Sequence, residues 1–183
     1  MSEETRSLLR SLPSLTGEPP PLDPHALPED PVALFLDWLE GARRAGVPEP
    51  HAMTVSTVDP SGVPDARVLV LKDVDQSGWA FASTRTSVKG GQLTACPHAA
   101  LTFWWQPLMR SVRVRGPVVE ASPAESLADL RARSAAAQAG VDPDDWTVWR
   151  VRPSTVEFWQ GSSDRRHVRI LFDRDQDVWR RRA

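Results

Sequence analysis

The feature that most constrains the fold is a series of short segments in which apolar and polar residues alternate, starting at residue 53. The segments 53–58, 66–73 and 79–83 are separated by turn sequences rich in Asp, Pro, Ser and Gly. Connections this short join antiparallel neighbours, because a parallel crossover needs about a dozen residues or more. Further segments of the same kind lie at 99–105, 111–120, 147–151, 155–160, 168–172 and 178–180.

Two or three helices are predicted around these strands. Asp30 followed by Pro is a helix start, and the apolar spacing after it predicts a core-packing helix that ends before Gly46. Ser87 can cap a short helix, and Ser122 begins a capping box that predicts a helix to about residue 139. About eight hairpin-linked strands with such helices predict a mainly β protein, a closed or nearly closed antiparallel barrel with peripheral helices.

The first 29 residues are interpreted as an arm that precedes this domain, which spans 30–183. Six prolines between positions 13 and 28 prevent a long helix there, although a short helix is possible over 3–12. We expect the arm to wrap a surface or to be disordered.

Composition excludes several classes of function. A net charge of -2 provides no basic field for nucleic acid or an anionic membrane. No apolar run approaches the roughly 18 residues of a membrane span, and the acidic start is unlike a signal peptide. A single cysteine, Cys96, excludes an internal disulfide and a cysteine-cluster metal site. We therefore expect a cytoplasmic protein without a metal.

Two cationic segments stand out, and each contains one of the chain's only two lysines, against twenty arginines. Arg67 and Lys72 flank an apolar strand, while Ser87 and Lys89 open a predicted helix. Helix N-termini and charged donors both favour anions, so a phosphate is the natural ligand of the second segment. The alternatives are a buried strand with solvated ends, an ordinary capped helix and a chance placement of both lysines.

A third segment carries Arg165, His167 and Arg169. With a period of two, these side chains are expected to share one strand face. Two guanidinium groups and an imidazole could receive a phosphate or carboxylate, and the imidazole could move a proton. The alternative is a charged edge strand that discourages aggregation.

The order and spacing of these segments resemble the pyridoxamine 5′-phosphate oxidase family of FMN-dependent split-barrel proteins. The resemblance extends from about residue 30 to residue 181 and rests most on RVLVLK at 67–72, EFWQG at 157–161 and RRHVR at 165–169. It implies an antiparallel FMN-binding split β-barrel and a homodimer with two FMN molecules at the subunit interface.

The resemblance also implies which residues hold the flavin. Arg67 and Lys89 would bind its phosphate, while Trp159 and Arg169 would reach it from the partner chain. The implied cofactor positions are Arg67, Val68, Leu69, Val70, Leu71, Lys72, Ala82, Ser83, Ser87, Lys89, Ser111, Trp159 and Arg169.

For the substrate, Lys72, Arg133, Arg165 and His167 correspond to family residues that hold the vitamer, and Arg165 with His167 are the catalytic candidates. In that family the flavin takes a hydride from the carbon that bears an amine or alcohol, and dioxygen reoxidises it. An aldehyde and hydrogen peroxide result. The resemblance thus implies an FMN-dependent oxidase that uses a small-molecule substrate and dioxygen.

The chain departs from the family pattern around the flavin. Val88 and Ser111 stand where an Arg and a Gln are common, and the segment 141–156 is shorter than usual. These departures leave open a non-catalytic protein that binds a flavin or a vitamer phosphate, or a dimer without flavin.

The substrate-phosphate group of the family departs further. Its Tyr, Arg and Ser at spacing four align with Asp129, Arg133 and Ala137, and the chain contains no Tyr. An Asp beside a phosphate would repel it. A second alternative is therefore a related oxidase of a different reduced ring, as in the dihydrophenazine oxidases that resemble this family.

Overall fold

The computed structural model describes residues 2–176 and 178–182. Its strands are β1 (Ala52–Val58), β2 (Pro64–Val70), β3 (Asp73–Asp75), β4 (Gly78–Thr84), β5 (His98–Trp105), β6 (Arg110–Glu120), β7 (Trp146–Val151), β8 (Thr155–Gln160), β9 (Val168–Asp175) and β10 (Val178–Arg182). Its helices are α1 (Glu3–Ser11), α2 (Pro31–Arg44), α3 (Val88–Ala95), α4 (Pro123–Ala132) and α5 (Ala135–Gln138), with a 3-10 turn at Gln106–Leu108. Within this described part, no helix is long and apolar enough to cross a membrane.

The strands form one curled, entirely antiparallel sheet that branches at β6. The main path runs β10-β9-β8-β6-β5-β1-β2, and a branch leads from β6 through β7 and β4 to β3. One edge of β6 pairs with β5 over 110–117, while its other edge pairs with β8 over 110–115 and with β7 over 118–120. This half-barrel confirms the mainly β split-barrel expected from the sequence, with ten described strands instead of about eight.

The apolar face of helix α2 packs into the core, as the spacing of its apolar residues predicts. The Asp30 carboxylate accepts a hydrogen bond from the Val32 amide at 3.0 Å, and Pro31 occupies the first turn, where no N–H is needed. The Phe35 ring is fully buried and packs edge-on against Phe103 at 4.9 Å and Trp79 at 5.7 Å. The helix thereby fixes both branches of the sheet to one core.

The predicted long helix after Ser122 is wrong, because the helix is interrupted at Arg133. Helix α4 ends at Ala132, and Arg133 has extended backbone angles, φ -76° and ψ 159°. The side chain of Ser134 then accepts from the Ala137 amide and caps the separate helix α5. A second N-cap inside the segment thus competes with continued helix.

The strand predicted over 66–73 also differs, since β2 ends at Val70. The next two residues bridge the two branches of the sheet. The Leu71 amide donates to the His51 carbonyl at 2.9 Å, and the Lys72 amide donates to the Ala80 carbonyl at 2.8 Å. Lys72 therefore lies where the chain crosses from β2 to the branch that contains β3 and β4.

The arm lies against the domain in its second half. Helix α1 contains no buried residue. Beyond it, the Glu18 amide donates to the Pro107 carbonyl at 2.8 Å, and the Gln160 amide group donates to the Pro20 carbonyl at 3.0 Å. Leu22 and Leu27 pack on the core. The domain boundary at residue 29 stays a prediction.

Candidate cofactor and substrate site

The N-terminus of α3 is packed directly against the turn after β4. The Ser87 hydroxyl caps the helix by accepting from the Gly90 amide at 3.2 Å, and it lies 3.0 Å from the Ser83 hydroxyl. Gly90 permits this approach, because a Cβ there would lie 2.2 Å from the Arg85 carbonyl oxygen. The free amides of the first turn and the helix dipole make this corner favourable for an anion.

Arg67 is held beside this corner by a network that joins β2 to α3. Its guanidinium donates to Thr57 Oγ1 at 2.6 Å, to Asp65 Oδ2 at 2.5 Å and to Gln92 Oε1 at 3.1 Å. Gln92 is a buried residue of α3. A hydrogen bond from Gln92 and, as the smaller cause, the positive charge of Arg67 lower the pKa of the Asp65 carboxyl below its ordinary value. Asp65 is therefore ionised and orients the Arg67 cation.

Lys89 is a half-buried cation with no acidic partner. Its Nζ lies 3.4 Å from the Ser87 hydroxyl, and none of the ion pairs among residues 2–176 and 178–182 includes it. Burial, and then the charge of Arg67, lower the pKa of the Lys89 ammonium. Two neighbouring cations at a helix N-terminus, one of them uncompensated, provide the charge that a phosphate needs. We name this group of Arg67, Ser83, Ser87 and Lys89 the anion corner. Its donors fit the phosphate of FMN.

The remaining residues expected along the flavin lie on β2 and β4. On β2, Val68 points outward and is 69% exposed, whereas Leu69 and Leu71, the latter just after the strand, are half-buried against the core. Val70 is half-buried, and so is Ala82 on β4. β2 is a terminal strand of the described sheet, so one of its edges is open to a ligand or a second chain.

A second group forms a transverse row on the outer face of the sheet. Trp104 on β5 pairs with Ser111 on β6, Ser111 pairs with Trp159 on β8, and Trp159 pairs with Arg169 on β9. Directly opposite residues of antiparallel strands place their side chains on the same face. We name these four residues the indole row. The sequence analysis selected three of them but not Trp104, which only the strand register reveals.

The prediction that Arg165, His167 and Arg169 share one strand face is wrong. Strand β9 begins at Val168, so only Arg169 lies on it. Arg165 occupies a turn with a positive φ of 64°, in which its amide donates to the Ser162 carbonyl at 3.1 Å. The Asp164 carboxylate accepts from Ser162 and from the Arg166 amide, and this local turn replaces extended strand.

The His167 ring nevertheless packs against the indole row from the loop that precedes β9. Its ring centroid lies 5.0 Å from that of Trp159. Its Nδ1 accepts a hydrogen bond from the Ser162 amide at 3.0 Å. A neutral imidazole with Nδ1 as acceptor carries its proton on Nε2, so Nε2 is the atom that can donate to a ligand.

A third group surrounds Lys72 and contains residues from three elements. Lys72 Nζ lies 3.4 Å from Asp129 Oδ1 on α4, and Trp146 Nε1 on β7 donates to Asp129 Oδ2 at 3.0 Å. The Arg133 guanidinium stacks 4.3 Å from the Trp146 ring centroid, and its Nη1 is buried without a hydrogen-bond partner among the described residues. We name these four residues the Lys72 cluster. The sequence analysis did not identify Trp146, because its contacts depend wholly on tertiary structure.

The anion corner and the indole row make no direct contact with each other in the described part of one chain. Among the described residues, no hydrogen bond, ion pair or ring contact joins Trp159 or Arg169 to the anion corner.

Comparisons with known proteins agree with this architecture. The family model for pyridoxamine 5′-phosphate oxidase matches residues 39–160, and the model for the pyridoxine 5′-phosphate oxidase C-terminal dimerisation region matches residues 146–183. A pyridoxine/pyridoxamine 5′-phosphate oxidase of Thermosynechococcus vestitus is 39% identical over 84% of this chain and 87% of its own length. One of Caulobacter vibrioides is 37% identical over 88% of this chain and 86% of its own length.

Solved structures show the same fold. A PhzG crystal structure from Burkholderia lata 383, in complex with tetrahydrophenazine-1-carboxylic acid, matches with a TM-score of 0.83 and 27% identity, over 91% of this chain and 98% of the other. A pyridoxamine 5′-phosphate oxidase-related, FMN-binding protein of Nostoc punctiforme matches with a TM-score of 0.71 at 18% identity, over 86% and 98% of the two chains. From these matches and the split-barrel sheet, the chain belongs to the pyridoxamine 5′-phosphate oxidase family.

Proposed function

We propose that this protein is an FMN-dependent oxidase of the pyridoxamine 5′-phosphate oxidase type. The observation that carries the proposal is the anion corner, where Lys89 has no acidic partner among the described residues and stands beside Arg67 at the start of α3. Membership of a family whose curated relatives are named as oxidases supports the oxidase activity. The cofactor held there would supply hydride-accepting chemistry toward the substrate carbon that bears an amine or alcohol, with dioxygen as the final oxidant. An alcohol would give an aldehyde and hydrogen peroxide, and an amine would in addition consume water and release ammonia.

The chain's own residues would bind and orient the cofactor. Lys89, Arg67 and the free amides of α3 would hold its phosphate, and the strand from Val68 to Val70, with Leu71 after it, would line it. Ala82, Ser83 and Ser87 border the same corner. The protein then contributes position and charge, because the redox chemistry belongs to the flavin.

A homodimer would complete this site. The C-terminal dimerisation region matches residues 146–183, which contain Trp159 and Arg169. Because the indole row is separate from the anion corner within one chain, we place these two side chains at the flavin of the partner subunit. The cytoplasmic location expected from the sequence stays a prediction.

The substrate would lie between the Lys72 cluster and the loop that holds His167. Lys72 and Arg133 supply positive charge, and the buried, unpartnered Nη1 of Arg133 is a donor that a ligand would satisfy. Arg165 and His167 would contact the reacting part, with His167 Nε2 as the atom that donates or accepts a proton.

A second candidate, oxidation of a reduced ring without a phosphate, is favoured by the ion pair of Lys72 with Asp129. The Asp129 carboxylate neutralises one cation and would repel a dianionic phosphate. The similar PhzG structure contains tetrahydrophenazine-1-carboxylic acid, a reduced ring that bears a carboxylic acid. A substrate of that class would need only the one remaining positive charge, that of Arg133.

The test is the visible spectrum of the purified protein with and without added FMN, followed by substrate under nitrogen and then air. Bleaching by pyridoxamine 5′-phosphate, with recovery and peroxide in air, supports the first candidate. Bleaching only by a dihydrophenazine carboxylic acid supports the second. If the protein binds flavin but neither compound reduces it, both oxidase candidates fail and a flavin-binding protein remains. If the protein binds no flavin, the proposal is overturned.

A further inference from the structure

We infer that Trp104 is a positioning residue, which fills the space above Ser111 and fixes the indole of Trp159. The inference rests on the proposed function, because Trp159 is there assigned to the flavin. It adds Trp104 to the site residues that were expected from the sequence.

The geometry of the indole row shows that the two tryptophans lean toward each other. They lie on β5 and β8, which are separated by β6, so their backbones are two strand spacings, or roughly 9.5 Å, apart. Their ring centroids are only 6.1 Å apart, with an interplanar angle of 46°. The small side chain between them, Ser111, leaves room for this approach. A glutamine at that position would project between the rings.

The Trp159 ring has two further neighbours besides Trp104. A Cβ at Gly161 would lie 2.8 Å from Trp159 Cη2 and 3.2 Å from Cζ3, so the ring rests on the glycine backbone. The His167 ring lies 5.0 Å away. Trp104 supplies the remaining support, and it is 49% exposed. Without it, that side of Trp159 would be open to solvent and the indole would gain rotamer freedom.

Ordering a side chain before binding removes an entropic penalty from the binding step. Trp104 therefore raises flavin affinity without touching the flavin. Ser111 cannot make the contact to the flavin that a glutamine would make at this position. The better-fixed ring of Trp159 compensates for that lost binding energy. Because Trp159 also packs on His167, the same support extends to the loop that carries the proposed proton-transfer group.

The first test compares Trp104→Ala and Trp104→Phe with Leu36→Ala, which truncates another exposed apolar side chain, on α2. Paired indoles give an exciton couplet in far-ultraviolet circular dichroism, and we expect Trp104→Ala to lose it in the FMN-free protein. FMN affinity should fall about fivefold, as expected for one lost aromatic contact. Trp104→Phe should keep most of the affinity. An unchanged couplet, or an equal loss of affinity in Leu36→Ala, overturns the inference.

The second test is a double-mutant cycle with Ser111→Gln. Alone, Ser111→Gln should weaken FMN binding, because the amide separates the two rings. On the Trp104→Ala background the same change should strengthen binding, since the amide then has room. Additive effects would contradict the inference. Wild-type protein that does not bind FMN fails the proposed function, whereas FMN binding that is indifferent to Trp104 fails this inference alone.

Discussion

Lys72 and Asp129 form a partly buried ion pair, with 3.4 Å between Nζ and Oδ1, in the part of the site expected to hold the substrate. Trp146 donates to the second oxygen of the same carboxylate, so Asp129 is fixed in place. The pair leaves Arg133 as the uncompensated cation of the Lys72 cluster. We therefore expect the charge at this position to influence which anionic group the protein accepts.

Asp129→Asn should release Lys72 and lower the KM for pyridoxamine 5′-phosphate by about fivefold, because removal of one nearby like charge is worth on the order of 1 kcal/mol. Steady-state peroxide production measures the change. The matched control is Asp37→Asn on the exposed face of α2, which should leave KM unchanged. An equal KM in wild type and Asp129→Asn would show that the phosphate does not approach this carboxylate.

Lys89→Gln should weaken FMN binding by roughly ten- to a hundredfold, since a charge-assisted hydrogen bond contributes about 1.5–3 kcal/mol. Flavin fluorescence titration of the FMN-free protein measures the dissociation constant. Arg44→Gln, which removes an exposed cation at the end of α2, is the control for net charge. Equal losses in both variants would mean that long-range charge, and not the anion corner, attracts the flavin.

The depressed pKa of Lys89 predicts a pH dependence of stability in the FMN-free protein. In the folded state the ammonium loses its proton at a lower pH than in the unfolded chain, whose ordinary value is 10.5. The folded state therefore binds fewer protons between these two values, and stability rises with pH through that window. At neutral pH the folded protein carries the full free-energy cost of burying the charged Lys89 ammonium. Lys89→Met should raise Tm there, and its advantage should shrink above the lowered pKa. A constant difference from pH 7 to pH 10.5 would contradict this.

Gly90→Ala should destabilise the protein by about 1–3 kcal/mol, because the added methyl group meets the Arg85 carbonyl and the start of α3 must shift. FMN binding should fall with it. The matched control is Gly91→Ala in the same helix, where a Cβ meets nothing within 4 Å. That variant should be neutral or stabilising. Urea denaturation and flavin titration measure both effects, and similar behaviour of the two alanine variants would count against the packed helix start.

Deletion of residues 2–12 should leave Tm unchanged, because α1 contains no buried residue. Deletion of residues 2–29 should lower Tm by several degrees, since it exposes apolar surface under Leu22 and Leu27 and removes the Pro20 partner of Gln160. Scanning calorimetry of the two truncated proteins checks this. Equal Tm values for both would show that the arm makes no net contribution.

The elements with strong local signals are those that the sequence predicted well. Helix α2 begins at the Asp30–Pro31 start and β8 spans the predicted residues 155–160, because capping and alternation act within a few residues. The break at Arg133 was missed because the Ser122 capping box and an alanine-rich continuation outweighed the second cap at Ser134. The turn before β9 was missed because alternating charges imitate a strand.

The anion corner was predictable in part from the sequence, and its two cations do lie beside the start of α3. Of the Lys72 cluster, Lys72, Asp129 and Arg133 were named from the family pattern. Trp146 and the ion pair of Lys72 with Asp129 were not, because both depend on tertiary packing. The indole row was incomplete for the same reason. Its fourth member, Trp104, is identified only by pairing across β5, β6 and β8.

The branching of the sheet at β6 limits where this chain can diverge. One inserted residue in β6 would turn every following side chain to the opposite face, and it would do so against three neighbouring strands at once. The connection between β6 and β7, residues 121–145, lies outside these pairings and can change length without that cost. That connection carries Asp129 and Arg133. Insertion or shortening there can thus move the residues proposed to bind substrate, while the strands around the proposed flavin site keep their register.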